Sequence, residues 1–132
     1  MYLIDTNVVS ELRRVRPHGA VLAWLDGVSD AQLHMSAVTL GELQAGAEMT
    51  RRQDQEKADS IERWIDQLDR AWNVLPVDGG TFRIWARSFR GKATLEDGLI
   101  AATAFQLGLT VVTRNIKDFE PLGIETLNPF QP

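Results

Sequence analysis

The sequence predicts an α/β fold: a three-layer α/β/α sandwich around a central, mostly parallel sheet of four to five strands. Two observations carry this. Short apolar runs of strand length alternate with segments of helical periodicity, the pattern of successive βα units. Acidic residues also recur where strand-like or turn-like runs give way to helical ones, in Leu3-Ile4-Asp5-Thr6-Asn7, Thr39-Leu40-Gly41-Glu42, Glu96-Asp97-Gly98-Leu99 and Val112-Thr113-Arg114-Asn115-Ile116-Lys117-Asp118-Phe119. In a parallel sheet such junctions gather at the carboxyl edge of the strands, where ligands bind.

Each element has a local reason. Residues 1–5 read as a short buried strand ending at Asp5, followed at once by a helix through Ser10 and Leu12. Pro17 and Gly19 end that region, and residues 20–28 read as a helix with Val21, Leu22, Trp24 and Leu25 apolar. Residues 32–36 are a second strand and residues 39–47 a helix. Residues 53–72 form a long helix, since Ile61, Trp64, Ile65, Leu68 and Trp72 recur at i, i+3, i+4, i+7 and i+11. Residues 73–77 make a third strand, and Gly79-Gly80 opens a helix through Phe82, Trp85 and Phe89. Residues 95–107 form a helix that is apolar around most of its circumference, and so buried, with Gly108 ending it. Residues 109–113 are a fourth strand and 124–127 a short fifth. No repeat, low-complexity tract or linker interrupts the 132 residues, so one domain over 1–132 is expected.

Composition narrows the chemistry. The apolar share of 44% and the charged share of 24% are those of an ordinary globular protein. The absence of cysteine excludes disulfides, thiol catalysis and cysteine-based zinc sites. No apolar run approaches the roughly 20 residues that span a bilayer, and the first strand reaches an acid by Asp5, unlike a signal peptide. A cytoplasmic protein without membrane association is expected. The net charge of −4 argues only weakly against a nucleic-acid partner, because acids gathered around a metal would leave the remaining surface nearly neutral.

Taken singly, each acid has a bland explanation. Asp5, Thr6 and Asn7 are all good helix N-caps. Thr39-Leu40-Gly41-Glu42 has the form of a capping box, and Thr94-Leu95-Glu96-Asp97 the same form with Asp in place of Glu. Asp118 reads equally well as a solvated loop acid beside Lys117. Jointly they say more. Asp97 opens a helix that otherwise looks buried, and an acid there is paired, metal-bound or at a cleft edge. Clustered carboxylates repel one another and stay ionised only around a cation. Hard oxygen ligands without His or Cys point to Mg²⁺ or Mn²⁺.

Other features rank lower. His18 lies in a Pro/Gly loop and His34 alternates within a strand, so surface roles fit both. The four tryptophans fall at helical spacing among apolar neighbours, which suggests core or subunit contact rather than a base-stacking platform; with so many large apolar side chains, a homodimer is expected. Arg87, Arg90 and Lys92 lead toward Asp97, Arg13 follows the first helix and Arg114 follows the fourth strand. A solvated face is the favoured reading, but basic residues beside a metal cleft would also attract phosphate, so all five are candidate contacts to a phosphate backbone.

With these residues assembled, the chain resembles the PIN-domain ribonucleases of the bacterial VapC and FitB toxin type, the toxins of type II toxin–antitoxin systems. The resemblance runs from Tyr2 to about Phe130. It is carried by the four acidic stretches, by Ser36-Ala37-Val38 before the second, and by Leu127-Asn128-Pro129. It implies a Mg²⁺- or Mn²⁺-dependent endoribonuclease, held inactive by a cognate antitoxin and usually dimeric, with higher toxin–antitoxin assemblies in prospect. Residue by residue, Asp5 and Asp97 match the principal metal ligands and Glu42 the second acid of the site. Thr6 and Thr113 match the accompanying polar residues. Either Asp118 or Asn115 answers to the fourth acid.

The resulting expectation is hydrolysis of RNA phosphodiesters, with Asp5 and Asp97 holding the metal and Glu42 and Asp118 orienting water or recruiting a second ion. One alternative is an aspartate-based, Mg²⁺-dependent phosphatase or phosphoacceptor, which wants a second Asp where this chain has Asn7. Another is a catalytically silent PIN-like binding module.

Overall fold

A computed structural model describes residues 1–131. Five parallel strands form one sheet in the order β3-β2-β1-β4-β5: β1 is Tyr2–Ile4, β2 Leu33–Ser36, β3 Asn73–Leu75, β4 Thr110–Val112 and β5 Thr126–Leu127. Seven α-helices among the described residues flank it: α1 Thr6–Glu11, α2 Gly19–Asp26, α3 Ala37–Arg51, α4 Gln55–Ala71, α5 Gly79–Ile84, α6 Leu95–Leu107 and α7 Ile116–Phe119.

Strand alternation produces the three layers, because successive side chains leave a strand on opposite faces. Ile4, Met35 and Val112 pack with Val8, Val9, Leu43, Ile61 and Ile65 on one side. Leu3 and Val111 pack with Ile100, Ala101, Ala104 and Phe119 on the other. The first layer is tied by Arg51 at the end of α3, whose guanidinium meets Glu48 at 2.8 Å, Asp59 at 2.6 Å and Glu62 at 2.7 Å, clasping α3 to α4.

Most of the expected elements are present, with shifted ends. The strands are shorter than expected because the pairing stops where the chain turns into the next helix. The second strand begins at Leu33, since residues 30–32 form a 3₁₀ turn. The third helix starts at Ala37, two residues before the expected Thr39, because the Ser36 hydroxyl takes the cap and accepts from the Val38 N–H at 3.0 Å. Thr39 is therefore an interior residue with no exposed surface, and the capping-box reading of Thr39 and Glu42 is overturned. Thr94 does cap α6, accepting from the Asp97 N–H at 3.2 Å. The helix expected to run on through Phe89 changes at Trp85 into a π-helical turn, Trp85–Phe89. Helix α7, too short to show periodicity, was not anticipated. Gly108 ends α6 with φ of 66°, a left-handed position that side chains with a Cβ disfavour.

No helix among the described residues is long and apolar enough to cross a membrane.

Candidate functional site

The strand order reverses between β1 and β4: β2 and β3 follow on one side of β1, β5 on the other side of β4. Ligands bind at such a switch point, outside the carboxyl ends of the strands. Register pairs Ile4 with Val112, and the Asp5 N–H continues the ladder by donating to the Val112 carbonyl at 2.9 Å. Asp5 and Thr113 thus leave the sheet side by side at that crevice.

Asp5 is only 5% exposed and heavily bonded. Oδ1 accepts from the Thr6 N–H at 2.8 Å, the N-cap of α1. Oδ2 accepts from Thr113 Oγ1 at 2.8 Å and from Asn7 Nδ2 at 3.2 Å. Thr113 Oγ1 in turn accepts from Asn7 Nδ2 at 3.2 Å and from the Asn115 N–H at 3.0 Å. One donated and two accepted bonds exhaust that hydroxyl. The Asn7 carbonyl oxygen accepts from the Arg114 N–H at 3.1 Å, which fixes the orientation of its amide. The cap predicted for Asp5 is real, and the buried network beyond it is what an ordinary cap does not need.

Glu42 reaches this cluster from the second turn of α3 rather than from a strand end. Thr6 Oγ1 lies 2.7 Å from Glu42 Oε1 and 3.0 Å from Thr39 Oγ1. Thr6 has one hydroxyl proton; the carboxylate takes it, so Thr39 supplies the other bond by donating to Thr6 Oγ1. Thr39, unassigned in the sequence beyond its supposed cap, is thus the buried support of the Thr6–Glu42 pair. Only its neighbourhood to Glu42 could have flagged it.

Asp97 opens α6, half-buried, and its neighbour Gly98 explains how it is held. A Cβ on Gly98 would lie 2.7 Å from two ring atoms of Trp85, so the indole packs directly on the backbone beside the acid. Asp118 lies exposed on α7. Electrostatics ties these acids together. Burial pushes the Asp5 carboxyl up against the opposing pull of its Thr113 and Thr6 bonds, and the charges of Glu42 and Asp118 push the same way. Burial first, then the charges of Asp5 and Asp118, raise Asp97 to about 6. Asp5 and Asp97 are thus each made less willing to ionise by burial and by neighbouring negative charge, an environment that favours a cation.

The donor set fits a hard divalent ion: carboxylates backed by hydroxyls and an amide, with no sulfur or imidazole. Among the described residues no three acids are already gathered as ligands around one point. Mg²⁺ tolerates that, because it commonly binds through one or two carboxylates and keeps several waters.

The remaining candidates scatter. Arg13 borders a cavity that Thr6 and Glu42 also line. Arg114, Asn115, Lys117 and Asp118 line a second, open cleft, and the Arg114 guanidinium is set 3.9 Å from the Phe130 ring centroid. Arg87, on the π-helical turn, and Arg90 and Lys92, just after it, are exposed and form no ion pair among the described residues. His18 caps α2 through Nδ1, accepting from the Ala20 N–H at 3.2 Å. Its own N–H donates to the buried Glu11 at 2.9 Å, a structural acid that the sequence did not single out.

Known proteins resemble this chain along their whole length. The chain is 35% identical to the VapC ribonuclease Y4jK of Sinorhizobium fredii, covering 100% of this chain and 99% of that protein. It is 33% identical to the toxin FitB of Neisseria gonorrhoeae, over 98% and 99% of the two chains. Among solved structures, that of FitAcB from Neisseria gonorrhoeae superposes with a TM-score of 0.88 at 31% identity, covering 100% of both chains. FitAB bound to a DNA fragment gives a TM-score of 0.90 at 30% identity, over 100% of this chain and 97% of that one. The profile of the PIN domain matches residues 2–122, and with relatives above 30% identity over their full length, this chain belongs to the PIN-domain family.

Proposed function

We propose that this protein is a Mg²⁺- or Mn²⁺-dependent endoribonuclease, the toxin of a toxin–antitoxin pair. The observation that carries the reading is the buried Asp5 at the switch point, held by Thr113 and Asn7, with Glu42 tied beside it through Thr6 and the Asp5 charge felt at half-buried Asp97. Names support it too: one full-length relative is called a ribonuclease and another a toxin, and the superposed solved structures are of FitAB and FitAcB. By that likeness the partners are a cognate antitoxin and an RNA substrate. The toxin itself would be a homodimer that can enter a larger toxin–antitoxin assembly.

Asp5 and Asp97 would hold the ion. When bound, it would offset charge on the scissile phosphate and make a water more acidic. The chain's own residues do the rest. Thr113 and Asn7 hold the Asp5 carboxylate in one orientation. Thr6 occupies one oxygen of Glu42, leaving the second to accept a hydrogen bond from the attacking water. Asp118 adds negative charge at the rim, and either it or Asn115 completes the polar wall. Arg13 and Arg114, on two sides of the acids, supply the positive charge that an RNA backbone requires; Arg87, Arg90 and Lys92 would extend it. A phosphatase reading is weakened by Asn7: the position that would carry its second acid is an amide bonded at both ends.

The test is cleavage of single-stranded RNA with Mg²⁺, Mn²⁺ or chelator. Wild type should cut only with metal, while Asp5→Asn and Asp97→Asn should lose activity at least about a hundredfold with the fold retained by circular dichroism. Activity near wild type in either variant would overturn the site assignment.

A further inference from the structure

Beside the acids, and continuous with them, lies a cavity of about 280 Å³ between α1, α3 and α4. Thr6 and Glu42, the bonded pair at the margin of the carboxylate cluster, belong to its lining. Its floor is the buried Leu43, Ala47 and Ile61. Half-buried Trp64 forms a wall, and the guanidinium of exposed Arg13 stands 6.0 Å from the Trp64 ring centroid. Ser10 and Thr50 contribute hydroxyls to the lining.

Gly46, which also lines this cavity, is the residue the fold itself does not require. It sits inside α3, where glycine is among the poorest helix formers. A Cβ there would meet nothing within 4 Å, so no neighbour excludes a side chain. What its bareness leaves is room in the cavity.

We propose that this cavity is a nucleobase pocket, taking the base of an unpaired RNA nucleotide next to the scissile phosphate, stacked on Trp64 beneath Arg13. The proposal rests on the ribonuclease reading of the adjoining acids. A strand whose phosphate lies at Asp5 and Asp97 passes Thr6 and Glu42 on its way into the cavity. A base is flat, apolar on its faces and polar at its edges. Indole and guanidinium are the two side-chain planes on which unpaired bases stack, and the hydroxyls of Ser10 and Thr50 suit an edge. A sandwiched base needs two gaps of roughly 3.5 Å, about 7 Å in all, so exposed Arg13 has only to lift by about an ångström. Arg13 also brings positive charge to a polyanion beside a cluster of acids. An apolar protein side chain would use the floor and leave the Arg13–Trp64 pair without a purpose.

The experiment gives wild type, Gly46→Leu, Trp64→Leu and Trp64→Phe a random-sequence single-stranded RNA library with Mn²⁺. Cut ends are sequenced, with Asp5→Asn as the inactive control. Gly46→Leu enters open space and improves helix propensity, so it tests the pocket without risking the fold. Wild type should show a base preference at one position beside the cut. Gly46→Leu and Trp64→Leu should still cut while that preference falls on the order of tenfold or more, and Trp64→Phe should restore part of it. An unchanged preference in both Leu variants, or a uniform loss of cutting with the preference intact, would overturn the pocket and leave the cavity to a protein segment. If wild type cuts no more than Asp5→Asn, the ribonuclease reading fails, and the pocket with it.

Discussion

Thr113 Oγ1 donates to Asp5 Oδ2 at 2.8 Å, joining two residues 108 positions apart in the chain. The bond exists because β1 and β4 are sheet neighbours in a register that ends both strands at the same level. It links the fold directly to the chemistry, since the same hydroxyl also receives Asn7 and the Asn115 N–H.

Replacing Thr113 by Val keeps the volume of this fully buried side chain and removes the hydroxyl. Asp5 loses a donor, and Asn7 and Asn115 lose an acceptor. A hydrogen bond to a charged group contributes about 1.5–3 kcal/mol net. Urea unfolding of metal-free Thr113→Val at pH 7 should fall by about that much with an unchanged m-value. RNA cleavage should drop at least about tenfold, because the carboxylate is no longer held in place. An unchanged midpoint would mean that the network contributes nothing to the fold.

The raised Asp97 pKa gives a pH dependence with a definite sign. The folded protein holds the Asp97 proton up to about 6, whereas the ordinary value for the carboxyl is 3.8. Between those values the folded state binds more protons than the unfolded state, so this group makes stability fall as pH rises. In chelator, the difference in melting temperature between Asp97→Asn and wild type should therefore grow as pH goes from about 4 to above 6, in favour of the variant. Asp5 is shifted the same way, and removing the Asp97 charge relieves it too, which adds to the difference in the same direction. Adding Mn²⁺ should reverse the order near neutral pH, since the ion needs the anions that the bare fold resists. A difference that is flat with pH would remove the electrostatic argument for the site.

Gly98 and Trp85 allow a steric test of how Asp97 is positioned. A Cβ on Gly98 would come within 2.7 Å of the indole, and overpacking of this kind costs about 1–3 kcal/mol. Gly98→Ala should lose about that in urea unfolding and, by tilting the start of α6, should also weaken Mn²⁺ binding measured by calorimetry. Adding Trp85→Phe, whose smaller ring frees the space, should recover part of both. Full metal affinity in Gly98→Ala would show that the contact does not position the acid.

These relationships were legible in the sequence to different degrees. Strand and helix alternation, the Asp5 and Asp97 junctions and the Gly108 stop follow from periodicity and backbone preference, which are local. The capping box that competed with a site role for Glu42 fails because Ser36 takes the cap, and Glu42 lies instead on the second turn of α3, bonded to Thr6 of α1. The roles of Thr39 and Thr113 depend on which strands become neighbours, and no local pattern carries that. The π-helical turn, which begins at the Trp85 that packs on Gly98, likewise has no local pattern to announce it. Trp64, read from its spacing as core or subunit contact, has one face on a cavity, a distinction that spacing alone does not make.

The tryptophans were the reason to expect a dimer, yet all four are half-buried within the chain. The exposed apolar surface lies elsewhere, with Phe82 on α5 and Leu95, Phe105 and Leu107 on α6 exposed by 44%, 48%, 62% and 52%. Phe82 and Phe105 each meet only the edge of an inner ring, Trp85 and Phe89, at 6.3 Å. Phe82 and Phe105 stand exposed on two helices that pack together, α5 and α6, and exposed large apolar side chains on adjoining elements can mark a contact between chains. Light scattering should therefore give about twice 14.8 kDa for the wild type. Phe105→Glu should give the monomer mass at micromolar concentration, with unchanged circular dichroism, because the side chain contributes little to the chain's own core. A wild type that is monomeric, or a Phe105→Glu variant that stays dimeric, would move the contact away from α5 and α6.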